Sequence, residues 1–171
     1  MDIKKKLQAD SNVKRNRVLA QHILEHPQLF DELMQYFFSE DLRIAQRSSN
    51  VVNLCVEKNN LLIFPYLPKI IKGLKKTPHD AYKRNSIRLM QFIDLPEEHI
   101  GDVADICFKY LDSVKEPIAV RAFSMTVLYN ITKTYPEIKN ELIMMIEDHL
   151  PYGSAGIKAR GKNILRLLRK G

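Results

Sequence analysis

The sequence of 171 residues is poor in the features that mark several common classes of protein. It has no tryptophan, six glycines and eight prolines, which disfavours an all-β fold with many tight turns. No apolar run approaches the roughly 18 residues of a membrane span. The beginning of the chain, MDIKKKLQADSN, has no apolar core of a signal peptide. We therefore expect a cytoplasmic protein without a membrane-spanning segment.

Cysteine is also scarce, with only Cys55 and Cys107 in the chain. Both lie in apolar stretches, so we expect two buried thiols rather than a disulfide. Apolar residues make up 45 % of the sequence, which suffices for a hydrophobic core and argues against disorder. No low-complexity linker interrupts the chain. We expect residues 1–171 to form a single domain, and a monomer.

Positive charge is in excess, and it is unevenly distributed along the chain. The formal net charge is +7, yet residues 1–17, 69–88 and 154–171 carry +4, +6 and +6 respectively, so the remaining residues are acidic on balance. Basic segments of this kind can bind nucleic acid, a membrane surface or an acidic partner, or can be solvated helix faces.

One pattern repeats along the whole chain: an arginine near the start of an apolar helical segment, as in EPIAVRAFSMTVLYNI. The steps between these arginines are 32, 37, 37 and 39 residues. An acidic or small polar residue precedes each arginine, as an N-cap or first-turn residue would. The arginines are Arg15, Arg47, Arg84, Arg121 and Arg160, and the preceding residues are Asp10, Asp41, Asp80, Glu116 and Ser154.

A second marker alternates with the first, since Pro27, Pro65, Pro96 and Pro136 each precede apolar residues at spacings of three and four. Proline is tolerated in the first turn of a helix, and the spacing predicts amphipathic helices. The predicted arginine helices lie near residues 11–26, 41–58, 79–93, 116–134 and 154–170, and the predicted proline helices near 27–39, 64–76, 96–112 and 136–149. Since an isolated helical pair cannot bury both of its apolar sides, we expect an all-α superhelix of about ten helices in four to five stacked pairs.

In these segments the chain resembles the HEAT-repeat, armadillo-like α-solenoid family. The closest segment is YLDSVKEPIAVRAFSMTVLYNI, and the resemblance covers roughly residues 11–170. The segment KKTPHDAYKRNSIRLM departs from the pattern, because Tyr82 and Lys83 stand where Ala-Val would be typical. The resemblance implies a structural ladder in which the repeated arginines hydrogen-bond along the stack to acids such as Asp41, Asp80, Asp112 and Glu116.

The resemblance also implies that the arginine helices line a concave face. Their polar positions away from the apolar stripe form a polar and basic row that would suit an acidic peptide, an acidic helix or a phosphate backbone. This row is the candidate binding surface, and it consists of Arg17, Gln21, Asn50, Asn53, Arg88, Gln91, Asn130, Lys162 and Arg166.

The sequence favours a non-catalytic scaffold for protein-protein interaction, because no nucleophile, phosphate-binding or dinucleotide motif occurs. The alternative is a nucleic-acid-binding module. Some alkylation-repair DNA glycosylases are HEAT-like solenoids with a basic concave face, but they cup the lesion with aromatic residues, notably tryptophan, which this chain lacks. A basic turn at Ser154, Gly156 and Lys158 could bind an anion at a helix N-terminus, but is more simply a helix cap.

One pair of histidines has the spacing of metal ligands. His22 and His26 are four residues apart on one predicted helix, with Glu25 between them. No third ligand is evident from the sequence, and the glutamate does not occupy the position it has in zinc proteases. We therefore expect neither a metal site nor a cofactor.

Overall fold

A computed structural model of the chain describes residues 1–9, 12–76 and 78–170. Over these ranges the secondary structure consists of ten α-helices and three 3₁₀ segments, without a β-strand, which confirms the predicted all-α class. The helices are α1 (Ile3–Gln8), α2 (Val13–Glu25), α3 (Phe30–Phe37), α4 (Leu42–Lys58), α5 (Leu67–Leu74), α6 (Asp80–Met90), α7 (Glu97–Asp112), α8 (Ile118–Thr132), α9 (Lys139–His149) and α10 (Ala155–Lys170).

Each of the nine predicted segments contains one of the helices α2 to α10, whereas α1 lies outside all of them. Helix α1 has only six residues, too few for a helical period to show in the sequence. Asp2 caps it by accepting a hydrogen bond from the backbone amide of Lys5 at 3.0 Å, and Ile3 and Leu7 bury its apolar side.

The helix starts use the predicted acids in different ways. Asp41 is the N-cap of α4, where one carboxylate oxygen accepts from the amides of Arg43 at 2.9 Å and Ile44 at 3.2 Å. Asp80 is instead the first residue of α6, and the ring of His79 caps that helix. Asp10, the acid expected before α2, lies outside the described residues, and Asn12 is the N-cap of α2.

The prolines also mark helix starts, but not always from inside the helix. Pro27 and Pro136 open 3₁₀ turns that lead directly into α3 and α9. Pro65 lies inside the 3₁₀ segment Asn60–Tyr66, which precedes α5, and Pro96 is the N-cap of α7. A fixed backbone angle and a missing amide donor suit all of these positions.

The chain divides into two compact units, Met1–Lys69 and Ile70–Gly171. The sequence shows no linker near this point, and the single domain expected over residues 1–171 stays a prediction.

In the first unit, α4 is the central helix and packs against α1, α2, α3 and the segment Asn60–Tyr66. Its apolar side is completely buried, as Val51, Val52 and Cys55 show. Phe30 and Phe37 of α3 are 2 % exposed and fill much of the space beside it.

In the second unit, α8 is central and packs against α6, α7, α9 and α10. Nine of its 15 residues are buried, and they include the charged residue Arg121. Burial on several sides explains why AVRAFSMTVLYNI has few polar side chains and no single polar face. None of the helices in the described ranges combines the length and the apolar character that a membrane crossing requires.

Candidate functional site

The repeated arginines lie at the starts of their helices, and Arg47 shows most clearly what such an arginine does. Its Nη1 donates to the backbone carbonyls of Leu7, Gln8 and Ala9 at 2.8, 2.9 and 2.8 Å. These carbonyls belong to the last turn and the C-cap of α1. Carbonyl groups at a helix C-terminus have no amide donor within their own helix. Arg47 therefore closes the C-terminal end of a neighbouring helix.

Arg121 has the same kind of partner in the second unit. It is only 7 % exposed, and its Nε donates to the carbonyl of Leu111 at 3.1 Å, in the last turn of α7. Burial lowers the pKa of Arg121, and the nearby Asp112 carboxylate acts in the opposite direction. Both arginines thus place a positive group at the negative end of a helix dipole. The acid partners expected for them are corrected: Arg47 and Arg121 donate to carbonyl groups of the backbone.

Glu116, one of the acids expected in the ladder, does bridge to a basic residue, at the position where the sequence departs from the repeat pattern. Lys83, rather than the expected Arg84, donates to both carboxylate oxygens of Glu116 at 2.8 and 2.9 Å. The two side chains are 13 % and 16 % exposed. Burial lowers the pKa of Lys83, but Glu116 and Asp80 outweigh that effect, so the pKa is raised overall.

Tyr82, the other departure from the pattern, also has a structural role. Its hydroxyl donates to the carbonyl of Ile70 at 3.2 Å, and its ring lies against Gly73 of α5. A Cβ at Gly73 would collide with this ring, so the glycine permits the close approach of α5 and α6.

Arg160 takes part in a polar network among α6, α8 and α10. Its Nη1 donates to Gln91 Oε1 at 3.1 Å and to Thr126 Oγ1 at 2.5 Å. Asn130 Nδ2 donates to the carbonyl of Gln91 at 3.1 Å, and Asn130 Oδ1 accepts from Lys133 at 3.1 Å. Gln91 and Asn130, expected to face a partner, therefore bind the helices to one another.

The remaining predicted surface residues differ in exposure. Asn53 is fully buried and its Nδ2 donates to the carbonyl of Ser49 at 2.7 Å, so its placement on a binding face is corrected. Asn50 and Arg88 are half-buried. Arg17 and Gln21 are exposed on α2, and Gln21 donates to Glu25 at 2.9 Å. Of the ladder residues, Arg15 and Arg84 are exposed as well.

Lys162 and Arg166 of α10 are exposed, and together with Lys158 they form a basic row with a spacing of four residues. Such a spacing places side chains on one side of a helix. Helix α10 contains no acidic residue. Neither Lys158 nor Lys162 forms an ion pair within the described ranges, while Arg166 donates to Asn163 at 2.8 Å. A shallow depression of about 510 Å³ beside the row is lined by Leu150, Lys162, Leu165, Arg166, Arg169 and Lys170.

The turn before α10 is a helix cap, in agreement with the simpler of the two sequence interpretations. Ser154 Oγ accepts a hydrogen bond from the amide of Ile157 at 3.4 Å. Gly156 is exposed, a Cβ at this position would lie 3.1 Å from Ile118, and Lys158 is exposed two residues later.

A cluster that the sequence left incomplete lies at the end of α2. His22, Glu25 and His26 each bring one potential metal-ligand atom to within 4.8 Å of the others. The sequence indicated two histidines on one side of a helix but not the third donor. Glu25 is three residues after His22, and residues at this spacing are also neighbours on a helix surface.

The two thiols offer no nucleophile at neutral pH. Cys55 and Cys107 are free and fully buried, as expected from the sequence. Burial raises the pKa of each thiol to about 12, so both remain protonated. Cys55 Sγ lies 3.7 Å from the carbonyl of Ala20 and is a core residue of the first unit.

Comparison with known proteins gives one match. A family model described as a HEAT repeat domain matches residues 3–168. Searches of curated proteins and of solved structures found no match to the chain.

Proposed function

The chain belongs to the HEAT-repeat family, and on that premise we propose that it is a non-catalytic scaffold that binds an acidic segment of another protein. The family match, together with the helical structure, confirms the predicted class of all-α solenoid. Repeat proteins of this class commonly present extended surfaces for protein interaction. The proposal places the binding surface on the exposed basic row of α10, defined by Lys158, Lys162 and Arg166.

The absence of acidic residues on α10 is the observation that carries this proposal. Elsewhere in the described residues, several exposed or half-buried cations have a nearby carboxylate, as Lys75 has Asp102 at 2.6 Å. Lys158 and Lys162 have none, so their charge is available to a partner. Charged groups at the rim of an interface mainly speed association and select partners of opposite charge.

The surroundings of the row favour a protein segment over a bare polyanion. Leu150 and Leu165 line the depression beside the basic residues, so apolar side chains of a partner would find apolar contacts there. Helix α10 has 16 residues and is about 24 Å long, which matches a partner helix of four to five turns. An acidic amphipathic helix would meet both requirements.

Fluorescence anisotropy with a labelled peptide that carries Glu and Leu at helical spacing tests the proposal. The double variant Lys162→Glu/Arg166→Glu should abolish binding, because it reverses the charge of the row. The matched control Lys109→Glu/Lys115→Glu changes the net charge equally at exposed positions outside α10 and should bind nearly as well as the unchanged protein. Equal loss in both variants would show a net-charge effect and would contradict a site on α10.

Nucleic-acid binding is the second candidate, favoured by the regular spacing of the same three cations. Residues four apart on a helix are separated by about 6 Å along its axis, close to the separation of successive phosphates on one strand. A labelled single-stranded oligonucleotide should then bind with a logarithmic salt slope of about −2, as expected for three phosphate contacts. No binding at low salt would exclude this candidate, and peptide binding with weak salt dependence would favour the scaffold.

A further inference from the structure

The end of helix α2 brings two imidazoles and a carboxylate together at the surface. His22, Glu25 and His26 form the one group of three or more potential metal ligands within the described ranges. One atom from each lies within 4.8 Å of the others, and the two imidazole ring centres are 4.4 Å apart. Imidazole with carboxylate is a ligand set that zinc and other late divalent transition metals accept.

The local sequence explains why three side chains from the five residues 22–26 can converge. Proline disfavours helical geometry at the residue before it, and Pro27 follows His26. His26 has φ −131° and ψ 70°, so the chain leaves the helix at this residue. The bend returns the His26 ring over the last turn of α2, where His22 and Glu25 already lie.

Hydrogen bonds to the cluster prepare its ligand atoms. His26 Nδ1 lies 2.9 Å from the carbonyl oxygen of His22. A carbonyl only accepts, so Nδ1 carries the proton in this bond and Nε2 keeps the lone pair that a metal requires. Gln21 Nε2 donates to Glu25 Oε1 at 2.9 Å and orients the carboxylate. Protein metal ligands are usually supported in this way by a second hydrogen-bonding partner.

The electrostatic surroundings act in both directions. The C-terminal end of α2 carries the negative end of the helix dipole, which favours a bound cation. Arg17 lies in the same surface depression as Gln21, His22 and Glu25. Its positive charge disfavours a bound cation. Glu25 compensates for Arg17, so the site is not dominated by positive charge. Ligand atoms around a tetrahedral zinc ion are about 3.3 Å apart, and rotation of exposed side chains covers the difference from the observed spacing.

We propose that His22, Glu25 and His26 bind one divalent transition-metal ion, with Zn²⁺ as the probe. Three protein ligands leave a fourth tetrahedral position open to water or to a donor from another molecule. The site lies in the first unit and shares no residue with the basic row of α10, so it does not depend on the proposed function.

Isothermal titration of the untagged full chain with Zn²⁺ tests the proposal, with competition against a chromophoric chelator as a second readout. We expect one zinc ion per chain with a dissociation constant in the micromolar range. His22→Ala and His26→Ala should each weaken binding by about tenfold or more, since removal of even an outer partner of a metal ligand commonly costs that much. Glu25→Gln should weaken it severalfold and should leave the helix intact.

Two controls make the assignment specific. His99→Ala/His149→Ala removes two other histidines and should leave the affinity unchanged. Arg17→Ala removes a repelling charge and should tighten binding by about twofold to threefold. In NMR spectra of the unchanged protein, Zn²⁺ should shift the ring resonances of His22 and His26 but not those of His99 and His149. This last measurement does not require any variant to fold.

Three results would overturn the proposal. The first is binding no tighter than the millimolar range. The second is an affinity that falls as far in His99→Ala/His149→Ala as in His22→Ala. The third is a set of ring resonances that shifts at His99 or His149 while those at His22 and His26 stay constant.

Discussion

Arg121→Ala should destabilise the protein by about 2 to 3 kcal/mol, because it removes a charged donor to the last turn of α7. In the structure the side chain is 7 % exposed and donates from Nε to the carbonyl of Leu111 at 3.1 Å. Alanine leaves that carbonyl in a buried setting without this donor and opens space beside the first turn of α8.

The magnitude follows from three contributions. A hydrogen bond from a charged donor contributes about 1.5 to 3 kcal/mol. The side-chain stem adds about 0.8 kcal/mol for each buried methylene, and two methylenes beyond Cβ are lost. Removal of a charge from a buried site offsets part of this loss. Arg121→Leu keeps most of the apolar contact, loses the hydrogen bond and removes the cost of burying the charge, so we expect a net loss of about 1 kcal/mol for leucine.

Thermal unfolding followed by circular dichroism measures both variants. For a chain of this length each kcal/mol corresponds to about 2 to 4 °C, so alanine should lower Tm by about 5 to 10 °C. Arg43→Ala is the matched control, because Arg43 is exposed in the first turn of α4 and its substitution should change stability by no more than about 0.5 kcal/mol.

The expected order of stability is unchanged protein, then leucine, then alanine. If Arg121→Leu were more stable than the unchanged protein, burial of the charge would cost more than its bond to Leu111 returns. If the Tm of both variants equalled that of the Arg43→Ala control, the hydrogen bond from Arg121 to the end of α7 would not contribute to stability. Either result would refute the structural role assigned to the repeated arginines.

Three further predictions concern other buried features. A double-mutant cycle with Lys83→Met and Glu116→Gln should give a coupling energy of about 1 to 2 kcal/mol in urea unfolding, and additive effects would contradict a half-buried ion pair. Cys55 and Cys107, whose pKa values burial raises to about 12, should react with a thiol reagent at pH 8 only after unfolding, and fast labelling of the native protein would show that a thiol is accessible. Gly161→Ala should lower Tm despite its better helix propensity, because the added Cβ would lie 2.9 Å from a leucine methyl, and a raised Tm would mean that the helices move apart without cost.

Most of the helices could be predicted from the sequence because they bury one side, and a buried side imposes a period of 3.6 residues on the apolar positions. Helix α8, which is buried on several sides, is instead marked by its long apolar stretch. The proline markers and the acid at Asp41 then locate the helix starts. Helix α1 was not predicted, because six residues with two buried positions are too few to show a helical period. The repeat family followed from the same pattern, since the arginines recur at a nearly constant step.

The partners of the repeated arginines could not be predicted in the same way. Acidic residues can be read from a sequence. An unpaired carbonyl at a helix end belongs to the backbone, so no residue type identifies it. The sequence therefore suggested acids for Arg47 and Arg121, and the structure shows carbonyls. The resemblance implied a bridge from one of the repeated arginines to Glu116, whereas in the structure Lys83 donates to this carboxylate.

The candidate binding surface of nine residues shows a related limit of prediction from sequence. Helical spacing predicts on which side of its own helix a residue lies, but not how closely the next helix approaches that side. At Gln91 and Asn130 the approach is close enough for side-chain and backbone groups to bond directly. At Asn53 the side chain is fully buried. At Lys162 and Arg166 the same kind of position stays open to solvent.

The choice of arginine at the repeated position follows from the geometry of a helix end. The last turn of a helix presents several carbonyl oxygens within a few ångströms, and a planar guanidinium can donate to more than one of them while it remains charged. Arg47 does so with three carbonyls at once. An acid at this position would be repelled by the negative end of the helix dipole. Positive charge in this chain therefore occurs in two settings that mutation can separate: arginines near helix starts that donate to neighbouring helices, and the row on α10, the proposed binding surface, whose lysines have no acidic partner within the described residues. Substitutions of the first kind should lower Tm, and substitutions of the second kind should change binding while Tm stays constant.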